Sequence, residues 1–130
     1  MSKSRDNIIN LFLDDKKLRK QIMKIQTDST PLEDPKNPDT CNLFALYKLV
    51  ATEEQVAEMR NNYLAGNYGY GHAKQAFFDL LISKFSKERT LYNHYMNNLP
   101  EIDEALKVGA QKARGIAQEV LSRVRVKLGY

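Results

Sequence analysis

Eight residues spaced three or four apart dominate the end of the chain: Ile102, Leu106, Gly109, Ala113, Ile116, Val120, Val124 and Leu128. An α-helix turns every 3.6 residues, so this spacing keeps all eight on one face. The pattern predicts one helix over about residues 101–128, roughly 40 Å long at about 1.5 Å per residue, with the stripe as its buried side. No segment alternates apolar and polar residues as a half-buried strand does. The fold expected is therefore all-α, a helical bundle with four or five helices after a proline-rich loop.

That loop is residues 27–40. Pro31, Pro35 and Pro38 fall within eight residues, among Asp, Ser, Thr and Asn. Proline removes N–H donors and drives the preceding residue out of helical conformation. Before the loop, Asp14 or Asp15 can cap a helix running to about Ile25, with Leu18 and Ile22 on its inner face. After it, Leu43, Leu46, Tyr47 and Val50 repeat with helical period. Thr52 and Gln55 form a capping box for a helix that carries Val56, Met59, Arg60 and Tyr63 and stops near Gly66. Gly66, Gly69 and Gly71 mark a turn. Residues 73–85 are apolar on nearly every face, which suggests a central helix. Ser86 caps a new turn or bends the axis, and Leu91, Tyr92, Tyr95 and Met96 continue the pattern to Pro100.

Hydrophobic residues make up 42% of the 130 and charged residues 28%, the ordinary globular range, which argues against intrinsic disorder. No apolar run approaches the ~18 residues of a membrane span. A lone Cys41 excludes an internal disulfide and fits a reducing compartment, so a cytoplasmic location is expected. The net charge of +4 is unevenly placed. Residues 1–65 carry ten basic and ten acidic side chains, whereas residues 105–130 carry six basic ones against Glu119 alone. A basic segment at one end points to an anionic partner, nucleic acid first.

Several chemistries find no support. His72 and His94 lie far apart in sequence, and no C-x-x-C or H-E-x-x-H occurs, so no metal site is expected. Nothing places Cys41 beside a histidine as a nucleophile. The acid pairs Asp14/Asp15 and Glu53/Glu54 sit in first helical turns, where the helix dipole accounts for them. The turn from Gly66 to Gly71 lacks the lysine and hydroxyl of a phosphate loop, and a helix-to-helix turn with positive φ explains its glycines.

Met1, Ser2, Lys3 and Ser4 match the last four letters of the K-M-S-K-S signature of class I aminoacyl-tRNA synthetases, and Asn7 follows. Thr27, Asp28, Ser29, Thr30 and Pro31 come next, then Asp34, Pro35 and Lys36, Pro38 and Asp39, and Cys41 and Asn42. Phe44, Ala45, Leu46, Tyr47 and Lys48 continue the series. So do Gly69, Tyr70 and Gly71, Ala73 and Lys74, and the closing helix with Ala113, Arg114, Val124 and Arg125. In order and spacing the chain resembles the C-terminal part of bacterial tryptophanyl-tRNA synthetases over essentially all its length.

The resemblance implies a division into residues 1–26, a signature loop and helix from the end of the catalytic domain; residues 27–41, a connecting loop; and residues 42–130, a helical tRNA-binding domain. It implies ATP contact by Met1, Ser2, Lys3 and Ser4, with Lys3 as the catalytic residue. A mobile ammonium suits the charge that builds on the phosphates as pyrophosphate leaves. The parent enzyme would use ATP and Mg2+, act as a homodimer, and charge tRNA(Trp). The signature's first lysine, an H-x-G-H sequence and a βαβ nucleotide-binding unit are absent, so the chain alone is expected to be inactive, with none of these cofactors bound. His72 stands where relatives often carry an acid.

Lys107, Arg114 and Arg125 share one line of the last helix, and Lys112 and Arg123 a second. These five are the tRNA-contact candidates, with Tyr63, Tyr68 and Tyr70 available to stack on a base. The other reading is a free-standing helical interaction or RNA-binding module derived from such a domain.

Overall fold

The computed structural model describes residues 8–130. Six helices follow one another: α1 Asp15–Met23, α2 Asn42–Lys48, α3 Glu53–Ala65, α4 Tyr70–Lys84, α5 Ser86–Asn97 and α6 Leu99–Leu128. No strand occurs among the described residues. The expected all-α class and the five helices after the loop are both present. The chain divides into two compact units, residues 1–89 and 90–130.

In the first unit α1 and α3 begin where their side-chain caps are encoded. Asp14 accepts the Lys17 N–H at 3.0 Å and opens α1. Thr52 and Gln55 exchange both bonds of the capping box, at 3.0 and 3.3 Å, and open α3. Helical spacing then selects the core. α1 buries Leu18 and Ile22 and packs on α4, which buries Ala73, Phe77 and Leu81. α2 buries Leu43, Phe44 and Tyr47 and packs on both α3 and α4, and α3 contributes Met59 and Tyr63. Full burial of each large apolar side chain stabilises the unit by about 1.5–3 kcal/mol.

Gly66 ends α3 at φ 76°, where a side chain is strained, and a Cβ there would stand 2.5 Å from the Glu33 carbonyl oxygen. Both constraints require glycine. Asn67 follows at φ 56°, the one non-glycine residue with positive φ among those described. The positive-φ turn expected here is thus built from Gly66 and Asn67. Gly69 caps α4 in extended conformation, and Gly71 lies inside that helix.

The second unit holds the last turns of α5 and all of α6. Between them the Asn98 side chain donates to the His94 carbonyl at 2.7 Å, and the Glu101 N–H reaches the Asn98 carbonyl at 3.0 Å. Pro100 occupies the first turn of α6, where its lost N–H has no partner to miss. Gly129, left-handed at φ 81°, closes the helix, and the Tyr130 N–H bonds the Arg125 carbonyl.

One expectation fails here. The stripe of α6 is not a buried side: every residue of the helix is exposed except half-buried Ile102. Leu106 is 64% exposed and Ile116 71%. Leu91, Tyr92, Tyr95 and Met96 of α5, read as continuing a buried pattern, are exposed as well. Periodicity shows that a face is apolar; it does not show that anything in the same chain covers it.

Candidate nucleic-acid interface

All five basic candidates lie on α6 and are exposed. Its backbone bonds hold them at fixed intervals. At 3.6 residues per turn, Lys107, Arg114 and Arg125 fall within about 20° of one another around the axis. Lys112 and Arg123 do the same on the other flank of the apolar stripe. The structure therefore assembles two basic rows, as the spacing implies. Lys107 also meets Glu104 at 3.3 Å one turn earlier. Both partners are about 70% exposed, so this pair contributes little and can open to an incoming phosphate. Met1, Ser2, Lys3 and Ser4 lie outside the described residues.

The tyrosines differ from one another. Tyr63 is 1% exposed and cannot stack on a base. Its ring packs on Phe44 at 5.5 Å and on Tyr70 at 6.0 Å. Its hydroxyl lies 3.7 Å from the Cys41 sulfur, and burial above all pushes that hydroxyl far above the ordinary tyrosine range. Tyr68 and Tyr70 keep partial exposure, and the Tyr68 ring stands 5.8 Å from exposed His72. Tyr70 donates to Asp28 Oδ1 at 2.8 Å. Burial first, then this bond, raise Tyr70 to about 12. Hydrogen bonds from Thr30, then from Tyr70, hold the Asp28 carboxyl below the usual carboxylate range.

Sequence reading missed the group that shapes the proline loop. Lys36 is 2% exposed, and its ammonium donates to the carbonyls of Pro31 (2.9 Å), Leu32 (3.3 Å) and Asp34 (3.1 Å). It also lies 5.5 Å from the centre of the Tyr70 ring. Prolines leave carbonyls without the N–H partners a helix would supply, and the lysine gathers three of them. A lysine flanked by prolines is the only sequence signal, and it does not tell a buried clamp from a solvated side chain. Arg89 was also missed. It bonds the Leu11 carbonyl and lies 2.5 Å from the Asp15 carboxylate, tying the segment before α1 to the start of α5. Leu11 and Leu13 of the same segment pack against the core, and Phe12 is 44% exposed.

Among the described residues no group of three or more His, Cys, Asp or Glu could hold a metal ion. No described helix is long and apolar enough to cross a membrane. Exposed basic rows on a helix, with half-exposed aromatic rings elsewhere, can contact phosphates and bases.

No family model matches the chain. Individual relatives do. A tryptophan–tRNA ligase of Fusobacterium nucleatum is 40% identical over 129 residues, which are 99% of this chain and 39% of that protein. One from Campylobacter jejuni is 42% identical over 129 residues, 40% of its length. The crystal structure of tryptophanyl-tRNA synthetase from Campylobacter jejuni complexed with ADP and tryptophan superposes with a TM-score of 0.97 at 42% identity. That match covers 100% of this chain and 41% of the other. The sequence and fold are similar to those of part of an aminoacyl-tRNA synthetase. In particular, the chain is similar to the C-terminal part of tryptophan–tRNA ligases, and it spans about two-fifths of the length of the relatives it matches.

Proposed function

We propose that this chain supplies the tRNA-contacting helical part of a tryptophan–tRNA ligase. The whole enzyme would activate tryptophan with ATP and Mg2+, then esterify tRNA(Trp), as a cytoplasmic homodimer. The observation that supports the reading is the pair of exposed basic rows on α6, in a chain about 40% identical to such ligases. Guanidinium and ammonium groups on a straight helix can follow a phosphate backbone, and an arginine plane can stack on an unpaired anticodon base. Lys3 would bring its charge to the phosphates as pyrophosphate leaves, with Met1, Ser2 and Ser4 shaping the loop around it. The nucleotide-binding domain is the partner this chemistry needs, and the purified chain should catalyse no ATP–pyrophosphate exchange without it.

The test is equilibrium binding of the chain to a tryptophan tRNA transcript and to an anticodon-altered one, at one stated moderate salt concentration. Discrimination of about 1 kcal/mol or more is expected, since a good base contact is worth roughly 1–3 kcal/mol. Arg114→Glu with Arg125→Glu should weaken binding and flatten its salt dependence. Unchanged affinity and salt slope in that variant would remove α6 from the tRNA surface.

A further inference from the structure

Among the described helices positive charge is denser on α1 than on α6. α1 carries Lys16, Lys17, Arg19 and Lys20 against Asp15, a net +3 in nine residues. α6 carries six bases against four acids, a net +2 in thirty. The even balance over residues 1–65 hides this, because seven of those ten acids lie in residues 28–58. Packing decides where the charges of α1 point. Leu18 and Ile22 are fully buried, and the helix packs on α4. At about 100° per residue, Lys16, Lys20, Lys24 and Lys17 fall on one arc about 100° wide, centred opposite the buried pair. All four are exposed, and no apolar residue of the helix falls within the arc.

Little inside the chain accounts for this face. Lys20 and Lys24 stand at the C-terminal end of α1, where the helix dipole favours cations, but Lys16 and Lys17 stand in its first turn, where the dipole disfavours them. Lys16 and Lys20 are like charges one turn apart, as are Lys20 and Lys24, and such pairs destabilise a helix. The nearby acids are engaged elsewhere: Asp15 with Arg89 at 2.5 Å, and Asp14 with Lys17 at 3.0 Å. On α4, Asp79 accepts from Gln75, whose side-chain oxygen accepts from Arg19. No ion pair among the described residues reaches Lys16 or Lys20.

We propose that the lysine face of α1 is a second RNA-contact surface, which holds the phosphate backbone of a paired tRNA stem. This rests on reading the chain as part of a tRNA ligase, and it adds to α6 a surface of different character. Ammonium groups about 6 Å apart along a straight helix meet a regular line of phosphates, and lysine suits them as a compact charge on a flexible stem. The face holds neither an aromatic ring nor a guanidinium plane to stack on an unpaired base. It therefore positions the RNA and reads no sequence. An anionic membrane fits it less well, because the apolar side of α1 lies in the core and leaves no apolar face to insert among lipid chains.

The experiment is equilibrium binding of the 130-residue chain to the tryptophan tRNA transcript and to the anticodon-altered one, over a series of salt concentrations. Lys16→Gln with Lys20→Gln should weaken binding of both transcripts by the same factor, about ten-fold, and lower the salt slope by about 2. Lys16→Arg with Lys20→Arg should keep the parent's affinity and slope, since it keeps both charges. Lys48→Gln with Lys87→Gln removes the same charge from exposed positions on α2 and α5, and should change affinity by no more than about two-fold. Glutamine and arginine are good helix formers, so every variant should keep the parent's circular dichroism. Unchanged affinity and slope in the α1 glutamine pair, an equal loss in the control pair, weakened binding in the arginine pair, or a loss confined to one transcript would each overturn the proposal. So would binding of neither transcript, whether or not anionic phospholipid vesicles bind instead. The α6 reading fails on other results, an absence of anticodon discrimination or an indifferent Arg114→Glu, Arg125→Glu variant, and neither alters the loss expected from α1.

Discussion

Replacing Lys36 by methionine should cost the first unit about 2–4 kcal/mol. The variant keeps the buried aliphatic stem and removes only the ammonium, so the loss isolates three hydrogen bonds to the carbonyls of Pro31, Leu32 and Asp34. A charge-assisted bond is worth about 1.5–3 kcal/mol, which gives a gross loss of about 5–9 kcal/mol. Against it stands the desolvation of an ammonium that is 2% exposed, a cost of several kcal/mol that methionine avoids. The difference is the net figure. Lys36→Arg should not rescue it, because a planar guanidinium does not fit a site shaped around one point charge. The chain has no tryptophan, so tyrosine fluorescence and far-ultraviolet circular dichroism would follow unfolding in urea. Lys16→Met, at an exposed site, serves as the control and should fall within about 0.5 kcal/mol of the parent. The midpoint should drop with little change in slope. A loss below about 1 kcal/mol, or a gain, would mean that burial of the charge outweighs its bonds and that the loop is held by its prolines and Tyr70 instead.

Other outcomes follow from single contacts. Gly66→Ala should destabilise by at least about 2 kcal/mol in the same urea titration, since left-handed strain alone is roughly 1–2 kcal/mol and the new Cβ would press on the Glu33 carbonyl. Thr52→Ala should cost about 1 kcal/mol there, as loss of the cap frees the Gln55 N–H. The Tyr70–Asp28 bond should be lost at both ends of the pH scale. Tyr70 contributes fully below its ordinary value of 10.0, and that contribution fades as pH rises toward about 12. The carboxyl of Asp28 contributes above its ordinary value of 3.8 and loses that contribution as pH falls below it. Stability of the Tyr70→Phe variant against pH would show both limbs flattened. Cys41, buried against Tyr63, should react with a thiol reagent only as fast as the unit opens.

What the sequence made legible was whatever depends on near neighbours. The capping box at Thr52 and Gln55, the Asp14 cap, the stop at Gly66 and the i, i+4 cores of α1, α3 and α4 are each written within a few residues. Each stands where the pattern puts it. Five basic residues on two rows of α6 follow from helical geometry alone. Lys36 was not legible, because its acceptors depend on the path of a loop with no repeating geometry. Arg89 was not legible either, since its partners Leu11 and Asp15 are more than seventy residues away. Tyr63 was misjudged as a stacking ring because an aromatic side chain at helical spacing reads the same inside a core as on a binding face.

The stripe of α6 is the instructive error. An apolar face with regular spacing requires a cover, and the simplest inference puts that cover in the same chain. Here the face is exposed apart from half-buried Ile102, although the helix carries its own start at Pro100, its own stop at Gly129 and a charge gradient along its length. A helix so completely specified needs nothing from neighbours to choose its boundaries, but propensity and caps do not hide Leu106 or Ile116 from water. Helical stability in proteins comes mostly from packing of the apolar face, so the exposed stripe is where α6 has most to gain by association. The same face also separates the two basic rows. Whatever covers it therefore decides whether Lys112 and Arg123, which lie next to the stripe around the helix, stay available to an anion. Lys107, Arg114 and Arg125 lie farther from it around the helix axis.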